Sequence, residues 1–240
     1  MIKVSNLSVD YGNNNGIFDI DLVIPNGEII AIIGHSGCGK TTLLNTFAGL
    51  LCFDKGEIRI NNEEIESASL GLIQQRDALF PWLKAWENVA IGINEDKKKK
   101  KNVSLSMLSE LDMAEYAYAY PNQLSGGQRQ RVSIARTLIT YPDVLLMDEP
   151  TASLDAFNKE SLQDLLLTLH QKKNRTTLFV THSIEEALFL ANKVLVMDKG
   201  RIIFTYENPM RHTLDLRDKP EFYDHVKKLR PLMKRGGLSE

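Results

Sequence analysis

The segment Gly34-His35-Ser36-Gly37-Cys38-Gly39-Lys40-Thr41 indicates the fold class through its own spacing and through the elements around it. A glycine, any four residues, then glycine, lysine and serine or threonine form the pattern of a phosphate-binding loop. A compact β-branched run at residues 28–33 precedes the segment, and a helical pattern of apolar residues at 41–50 follows it. Strand, loop and helix in this order predict an α/β fold with a phosphate-loop core, and they disfavour a glycine-rich turn that only joins strand to helix.

This loop is expected to bind a nucleotide through its backbone and its side chains. Its glycines let successive amide groups turn inward, and the following helix adds the positive end of its dipole. We expect the Lys40 ammonium to hold the β- and γ-phosphates and the Thr41 hydroxyl to supply an oxygen ligand for Mg²⁺. A catalytic thiol is not expected at Cys38, because no other residue offers it a base. The candidate nucleotide-binding residues here are Gly34, His35, Ser36, Gly37, Cys38, Gly39, Lys40, Thr41 and Thr42.

The rest of the chain extends the same α/β plan. Short apolar runs at 143–148, 176–181 and 193–197, separated by helix-length segments, predict a mostly parallel buried sheet. Hairpin-like strands at 56–60 and 195–206 predict an antiparallel β flank. We predict one domain over residues 1–206, with a helical lobe inserted at about 85–140, and a helical appendage at 207–240. The lysine run at 97–101 is expected to be a solvated, mobile connection rather than a binding patch.

Composition narrows the setting of the protein. The 240 residues carry a net charge of -2, which gives no general electrostatic reason to expect a nucleic-acid partner. Cys38 and Cys52 do not have the spacing of a metal site or a disulfide framework, so a reducing cytosol is expected. We expect no secretory signal, and no apolar run approaches the length of about 20 residues that crossing a membrane requires. Any membrane role is therefore expected to come through a partner.

An acidic pair, Asp148-Glu149, follows the apolar run Val144-Leu145-Leu146-Met147. Ligands of open α/β sheets gather at the carboxyl ends of the strands, where the phosphate loop also lies. Asp148 is expected to accept a hydrogen bond from a Mg²⁺-bound water, and Glu149 to polarise the water that attacks the γ-phosphate. By itself, such a pair is more often a solvated turn or a helix cap, and its neighbours favour the catalytic interpretation.

The segment Leu124-Ser125-Gly126-Gly127-Gln128, followed by Arg129-Gln130-Arg131-Val132, resembles the signature motif of ATP-binding cassette (ABC) proteins. Ser125 and the glycines are expected to open a helix over residues 128–140 and to present a hydroxyl and bare amides to an anion. The resemblance implies that this anion is the γ-phosphate of ATP bound by the other subunit. It therefore implies a homodimer or paired cassette that closes on ATP at two composite sites, with Ser125, Gly126, Gly127 and Gln128 as further ATP-binding residues.

The resemblance covers residues 2–206 and assigns further positions. Tyr11 resembles the aromatic residue that stacks on adenine, with an ordinary strand tyrosine as the alternative. Gln75 resembles the glutamine that touches Mg²⁺ and the attacking water, and His182 the histidine that contacts the γ-phosphate. Ser153-Leu154-Asp155 resembles the loop that crosses the dimer contact. The implied catalytic residues are Glu149, His182, Gln75 and Lys40, and the implied metal ligands are Thr41, Gln75 and Asp148, with Mg²⁺ and ATP bound together.

Three segments are similar to those of importers of nitrate, sulfonate, taurine or thiamine-precursor pyrimidines. They are the phosphate loop, Leu79-Phe80-Pro81-Trp82, and the segment from Leu214 to Phe222. This resemblance implies ATP hydrolysis that powers import of a small solute through a separate membrane permease, at the cytoplasmic face of the cell membrane. A solute-binding protein would take part indirectly. Phe80-Pro81-Trp82 is expected either to contact the permease or, for Trp82, to pack in the core. The alternative function is a soluble ABC-type ATPase that regulates or remodels a non-transport partner.

Overall fold

The computed structural model of the protein describes residues 1–75, 78–210 and 213–235. Its strands form two sheets. In chain order they are β1 (Ile2–Asp10), β2 (Gly16–Ile24), β3 (Ile29–Ile33), β4 (Lys55–Ile60), β5 (Glu63–Glu64), β6 (Leu70–Ile73), β7 (Val144–Asp148), β8 (Thr176–Thr181), β9 (Lys193–Asp198) and β10 (Arg201–Glu207). The six-stranded sheet has the order β10-β9-β3-β8-β7-β6, and the four-stranded sheet has the order β2-β1-β4-β5.

The α-helices are α1 (Lys40–Phe47), α2 (Ala85–Ala90), α3 (Lys97–Glu110), α4 (Gly126–Leu138), α5 (Ala156–Lys173), α6 (Ile184–Leu190) and α7 (Pro220–Arg235). Among the α-helices and strands, one-by-one alternation runs from α4 to β9, in the second half of the chain. Within the described residues, no helix combines the length and the hydropathy that crossing a membrane requires.

Strand β3 shows why a short run of apolar residues sits at the centre of the molecule. Ile29, Ala31 and Ile33 pack into a core shared with α2, α4, α5 and α6. Ile30 and Ile32 face the opposite core, between the large sheet, α1 and the antiparallel sheet. Successive side chains of a strand point to opposite faces, so a strand that is buried on both faces must be apolar throughout.

The predicted α/β fold is confirmed, with its mostly parallel sheet and its antiparallel flank. One detail of the flank was wrong. The hairpin predicted at 195–206 does form, but β9 pairs in parallel with β3, and β10 extends that same large sheet. The strand predicted at 56–60 is confirmed as β4, and it belongs to the separate antiparallel sheet of β1, β2, β4 and β5.

The lysine run is a second correction, because residues 97–101 form the start of α3 rather than a connection. The Asp96 carboxylate accepts hydrogen bonds from the backbone amides of Lys98 at 2.9 Å and Lys99 at 3.1 Å, which caps the helix. The Lys99 ammonium pairs with Glu95 at 2.6 Å, and the Lys101 ammonium lies 5.1 Å from the centre of the Tyr118 ring. Lysine is a good helix former, so a cap and these partners are enough to order the run.

Candidate functional site

The predicted phosphate loop forms a tight turn between β3 and α1. Gly37 and Gly39 have φ angles of 81° and 104°, in the region that favours glycine. At Gly34, a Cβ atom would lie 2.4 Å from the carbonyl oxygen of Met197 and 2.5 Å from the Cys38 sulfur. The loop therefore packs directly against the end of β9, and these glycines are needed for its path.

Lys40, the first residue of α1, is held within the loop. Only 7% of it is exposed, and its ammonium donates to the carbonyl oxygens of Gly34 and His35, each at 2.9 Å. Cys38 is buried beside it, and this burial raises the pKa of the thiol. A buried and protonated thiol is a poor nucleophile, so the surroundings of Cys38 do not suit nucleophilic catalysis.

His35 joins the loop to the end of β9. Its Nε2 atom lies 2.7 Å from an Asp198 carboxylate oxygen, and its Nδ1 atom lies 2.8 Å from the Ser36 carbonyl oxygen. Both partners are acceptors, so the doubly protonated ring suits the geometry best. The hydrogen bond to Asp198 is the main reason that the pKa of His35 is raised. Asp198 was not predicted as part of the site, because only the parallel pairing of β9 with β3 brings it close.

The acidic pair lies at the carboxyl end of β7, as its sequence position predicts. The Thr41 hydroxyl lies 3.5 Å from an Asp148 carboxylate oxygen, which places two of the predicted Mg²⁺ ligands side by side. Burial, and then the neighbouring charge of Glu149, raise the pKa of Asp148. Glu149 has a φ angle of 45°, which is rare for a residue with a side chain and is often found at functional sites.

Three predicted catalytic residues meet at the Glu149 side chain. The same carboxylate oxygen lies 3.4 Å from the Gln75 amide nitrogen and 3.2 Å from Nδ1 of His182. The His182 side chain is 63% exposed and the Glu149 side chain 21%, so both can reach a ligand from solvent. Gln75 follows β6, Glu149 follows β7 and His182 follows β8, and these three strands are neighbours in the sheet.

An open cleft of about 390 Å³ lies beside these groups. Its lining includes Tyr11, Asn15, Gly16, Ser36, Gly37, Gly39, Lys40, Thr41, Thr42 and Glu149. Tyr11 is 55% exposed and borders the cleft, as an adenine-stacking residue would. Asn15 and Gly16, in and after the turn that follows β1, were missed by the sequence analysis, although the run Gly12-Asn13-Asn14-Asn15-Gly16 is a clear turn signal.

The predicted signature residues lie elsewhere on the surface. Ser125 and Gln128 cap α4 reciprocally: the Gln128 side chain accepts from the Ser125 amide at 2.8 Å, and the Ser125 hydroxyl accepts from the Gln128 amide at 3.3 Å. A Cβ atom on Gly127 would lie 3.1 Å from the Asn158 side chain, close to the Ser153-Leu154-Asp155 loop. Ser125 and the residues that follow it are not among those that line the cleft. The helix starts at Gly126, earlier than the predicted residue 128.

The aromatic pair after Gln75, Phe80 and Trp82, is exposed, which bears on the alternative that Trp82 packs in the core. Trp82 is 69% exposed and Phe80 is 38% exposed, with ring centres 5.4 Å apart. Trp82 therefore does not pack in the core. Arg76 and Asp77, within the segment used to place Gln75, lie outside the described residues.

The residues predicted to hold Mg²⁺ suit a site in which phosphates and water supply the other ligands better than a site formed by protein side chains alone. Over residues 1–75, 78–210 and 213–235, no cluster of three histidine, cysteine or acidic side chains could hold a metal ion. Thr41, Asp148 and Gln75 offer oxygen atoms, which Mg²⁺ prefers, and Mg²⁺ commonly takes its remaining ligands from phosphates and water.

Comparisons with known proteins agree with this geometry. Residues 17–152 match the protein family described as ABC transporter. The protein named "Taurine import ATP-binding protein TauB" of Escherichia coli strain K12 is 40% identical over 205 residues, which is 83% of this chain and 80% of that protein. Its namesake in Shigella dysenteriae serotype 1 matches with the same identity and coverage.

Solved structures with the same fold include dimers and transporter components. A dimeric post-hydrolysis structure of the ATP-binding cassette MJ0796 with ADP and Pi has a TM-score of 0.77 and 29% identity, covering 88% of this chain and 100% of that one. The cbiO1 protein of Clostridium perfringens, described as part of the ABC transporter complex cbiONQ, has a TM-score of 0.80 and 26% identity. The match covers 98% of this chain and 96% of the cbiO1 chain.

Proposed function

Since this chain belongs to the ABC transporter family, we propose that it is the ATP-hydrolysing subunit of an importer whose membrane permease is a separate protein. The observation that carries the proposal is the meeting of Gln75 and His182 at the Glu149 carboxylate, beside the phosphate loop. A phosphate loop alone would support nucleotide binding. A carboxylate with two polar partners beside that loop supports hydrolysis.

The proposed roles follow from the chemistry of each side chain. Glu149 polarises the attacking water and takes up its proton, and Gln75 orients that water. Lys40 and the amides of the loop stabilise the negative charge of the β- and γ-phosphates, and His182 donates a hydrogen bond to a γ-phosphate oxygen. Tyr11 stacks on the adenine ring.

The proposed metal site consists of Thr41, Gln75 and Asp148. Bound Mg²⁺ would neutralise phosphate charge next to the loop. The role of these residues is to present oxygen atoms, and burial of Asp148 makes its charge costly in the absence of a cation.

We also propose that two copies share each ATP. Ser125 and the first amides of α4 form an exposed anion-binding helix terminus, and they do not line the chain's own cleft. In a symmetric dimer, the same surface of each copy would complete the cleft of the other. The MJ0796 cassette, with ADP and Pi, is described as dimeric.

Import is favoured over the regulation of a non-transport partner, because relatives that match most of the chain are named as import proteins. The exposed aromatic pair, Phe80 and Trp82, follows Gln75 and provides an apolar contact surface for the permease. Taurine is the first solute to test, although the solute is selected by other chains.

The test combines activity with partner identification. The purified chain should release phosphate from Mg·ATP, and a tagged copy extracted from membranes in detergent should co-purify in stoichiometric amounts with a multi-span permease. Deletion of the gene should then abolish uptake of one solute, with labelled taurine tried first. A chain that hydrolyses no ATP, or one that purifies in stoichiometric amounts with a non-transport factor, would contradict the proposal.

A further inference from the structure

A buried carboxylate joins the two chain segments that carry Glu149 and His182. Glu186, in the first turn of α6, is only 2% exposed. One of its oxygens accepts a hydrogen bond from the Thr151 hydroxyl at 2.6 Å, and the other accepts from the Thr181 hydroxyl at 2.5 Å. Both threonines are 1% exposed, so water cannot easily replace either bond. Each oxygen of this carboxylate therefore has a short hydrogen bond from a hydroxyl group.

The two threonines are placed directly beside the proposed catalytic residues. Thr181 ends β8 and is followed by His182, while Thr151 lies two residues after Glu149. The backbone links the same segments, because the Glu149 amide donates to the Val180 carbonyl oxygen at 3.0 Å. A shift of Thr151 relative to Thr181 would therefore change the separation of Glu149 and His182, which is now 3.2 Å.

Glu186 is itself held firmly on its helix. Its backbone amide donates to the Ser183 hydroxyl at 3.2 Å, and the Ser183 amide donates to the Thr181 hydroxyl at 3.1 Å. The Thr181 hydroxyl thus donates to Glu186 while it accepts from Ser183. This closed set of bonds fixes α6, the end of β8 and the segment after β7 relative to one another.

Glu149 needs such support because of its backbone. Its φ angle of 45° is unfavourable for a residue with a side chain, and it persists only where the surroundings impose it. Burying a carboxylate is costly unless its hydrogen bonds are satisfied, so the placement of Glu186 is not explained by packing alone.

We propose that Glu186 is a positioning residue for ATP hydrolysis: through Thr151 and Thr181 it holds Glu149 and His182 in the relative position that the reaction requires. This inference rests on the proposed function. Glu186 touches neither nucleotide nor water in this scheme, and its effect is on the turnover step. Nucleotide binding depends on the phosphate loop and Tyr11, which lie apart from the Glu186 contacts.

The first test compares Glu186→Gln with Glu185→Gln on the same helix. Gln has nearly the same shape, but its amide accepts only one of the two hydroxyl bonds. Because small displacements of catalytic groups are costly, kcat for ATP hydrolysis should fall about tenfold to a hundredfold in Glu186→Gln. The affinity for a fluorescent ATP analogue should stay within about threefold. The Glu185 side chain is 49% exposed and contacts the Ser183 hydroxyl only through a long bond of 3.4 Å, so its substitution should leave both quantities unchanged.

A second pair of variants removes any dependence on how well Glu186→Gln folds. Thr151→Val has the same shape without the hydroxyl, and Thr151→Ser keeps the hydroxyl. A positioning role predicts low kcat with unchanged analogue affinity for Thr151→Val, and near wild-type kcat for Thr151→Ser. Equal kcat in the valine and serine variants, or loss of kcat and analogue affinity together with the melting temperature, would overturn the proposal.

The proposed function can fail separately from this inference. If the wild-type chain and Glu149→Gln hydrolyse ATP equally, the assignment of Glu149 is wrong. If Glu149→Gln is inactive while Glu186→Gln keeps wild-type kcat, hydrolysis at this site stands and the role of Glu186 is rejected.

Discussion

Gln75 and His182 both contact the Glu149 carboxylate, and substitution of Glu149 gives the most direct test of hydrolysis. Glu149→Gln keeps the shape but removes the carboxylate, so turnover should fall by about a hundredfold or more. ATP should still bind, and the closed dimer should accumulate because ATP is no longer consumed. Phosphate release and ATP-dependent size-exclusion chromatography measure these effects. Glu160→Gln, an exposed position on α5, is the control. Undiminished turnover by Glu149→Gln would remove Glu149 from its proposed role.

His35 gives a pH-dependent contribution to stability. Its pKa is raised in the folded chain, mainly by the hydrogen bond to Asp198 and despite the nearby charge of Lys40. A group with a raised folded pKa contributes stability below its unfolded pKa of about 6.5, and this contribution disappears as the pH rises through the folded value.

We therefore expect His35→Gln to reduce the free energy of unfolding more at about pH 5.5 than at about pH 9. Urea unfolding of both chains at the two pH values measures the difference. Asp198→Asn is the matched variant, since it removes the main cause of the raised pKa. Adding His35→Gln to it should then have little pH dependence. An equal effect of His35→Gln at both pH values would contradict an ion pair between protonated His35 and Asp198.

The positions of some residues of the candidate site could be predicted from the sequence, because a motif fixes where they lie. Lys40 is set by the glycine spacing of its loop, and Glu149 and His182 follow apolar strands directly. Glu186 and Asp198 could not be found in this way. In the sequence, Glu186 is an ordinary acid in the first turn of a helix, and its burial depends on two threonines that reach it from separate strand ends. The surroundings of Glu186 and Asp198 arise from packing between segments that are distant in the sequence.

Among the elements, the start of α3 can be tested directly, because the cap at Asp96 should order the lysine run. Asp96→Ala should lose the bonds to the amides of Lys98 and Lys99, at a cost of about 1 kcal/mol, and the lysine run should fray. Asp96→Asn keeps a good capping side chain and should behave nearly as the wild type. Hydrogen exchange of residues 97–101 and urea unfolding measure the two effects. Equal protection in all three chains would show that the cap does not order this run.

Element type was predictable where burial makes the pattern simple. β3 and β8 are buried along their whole length, so their apolar runs identified them. β6 has only four residues, including Gly71, and gave too little pattern to be recognised. The prediction of a solvated, mobile connection at the lysine run was wrong because it left out the cap at Asp96 and the helix propensity of lysine. Local propensity was the better guide there.

For the whole molecule, the placement of Ser125 outside the cleft that Lys40 lines gives a test of the proposed dimer. Lys40 lines the cleft of its own chain, whereas Ser125 and the start of α4, the proposed anion-binding terminus, are not among the residues that line it. If a dimer completes each site, Lys40 of one copy and Ser125 of the other act on the same ATP. Lesions at these two positions in different chains should therefore complement each other.

Lys40→Ala and Ser125→Glu should each be inactive alone, because each dimer then has the same lesion in both sites. In a mixed dimer, both lesions fall in one site and the other site is intact. An equal mixture should recover about a quarter of wild-type activity if the two sites work independently, since half of the dimers carry one good site. The control mixes Lys40→Ala with the double variant Lys40→Ala/Ser125→Glu, where no dimer has an intact site. Recovery in the first mixture but not in the control would show that Lys40 and Ser125 meet across the dimer. If the two sites work independently, no recovery in either mixture would mean that they do not.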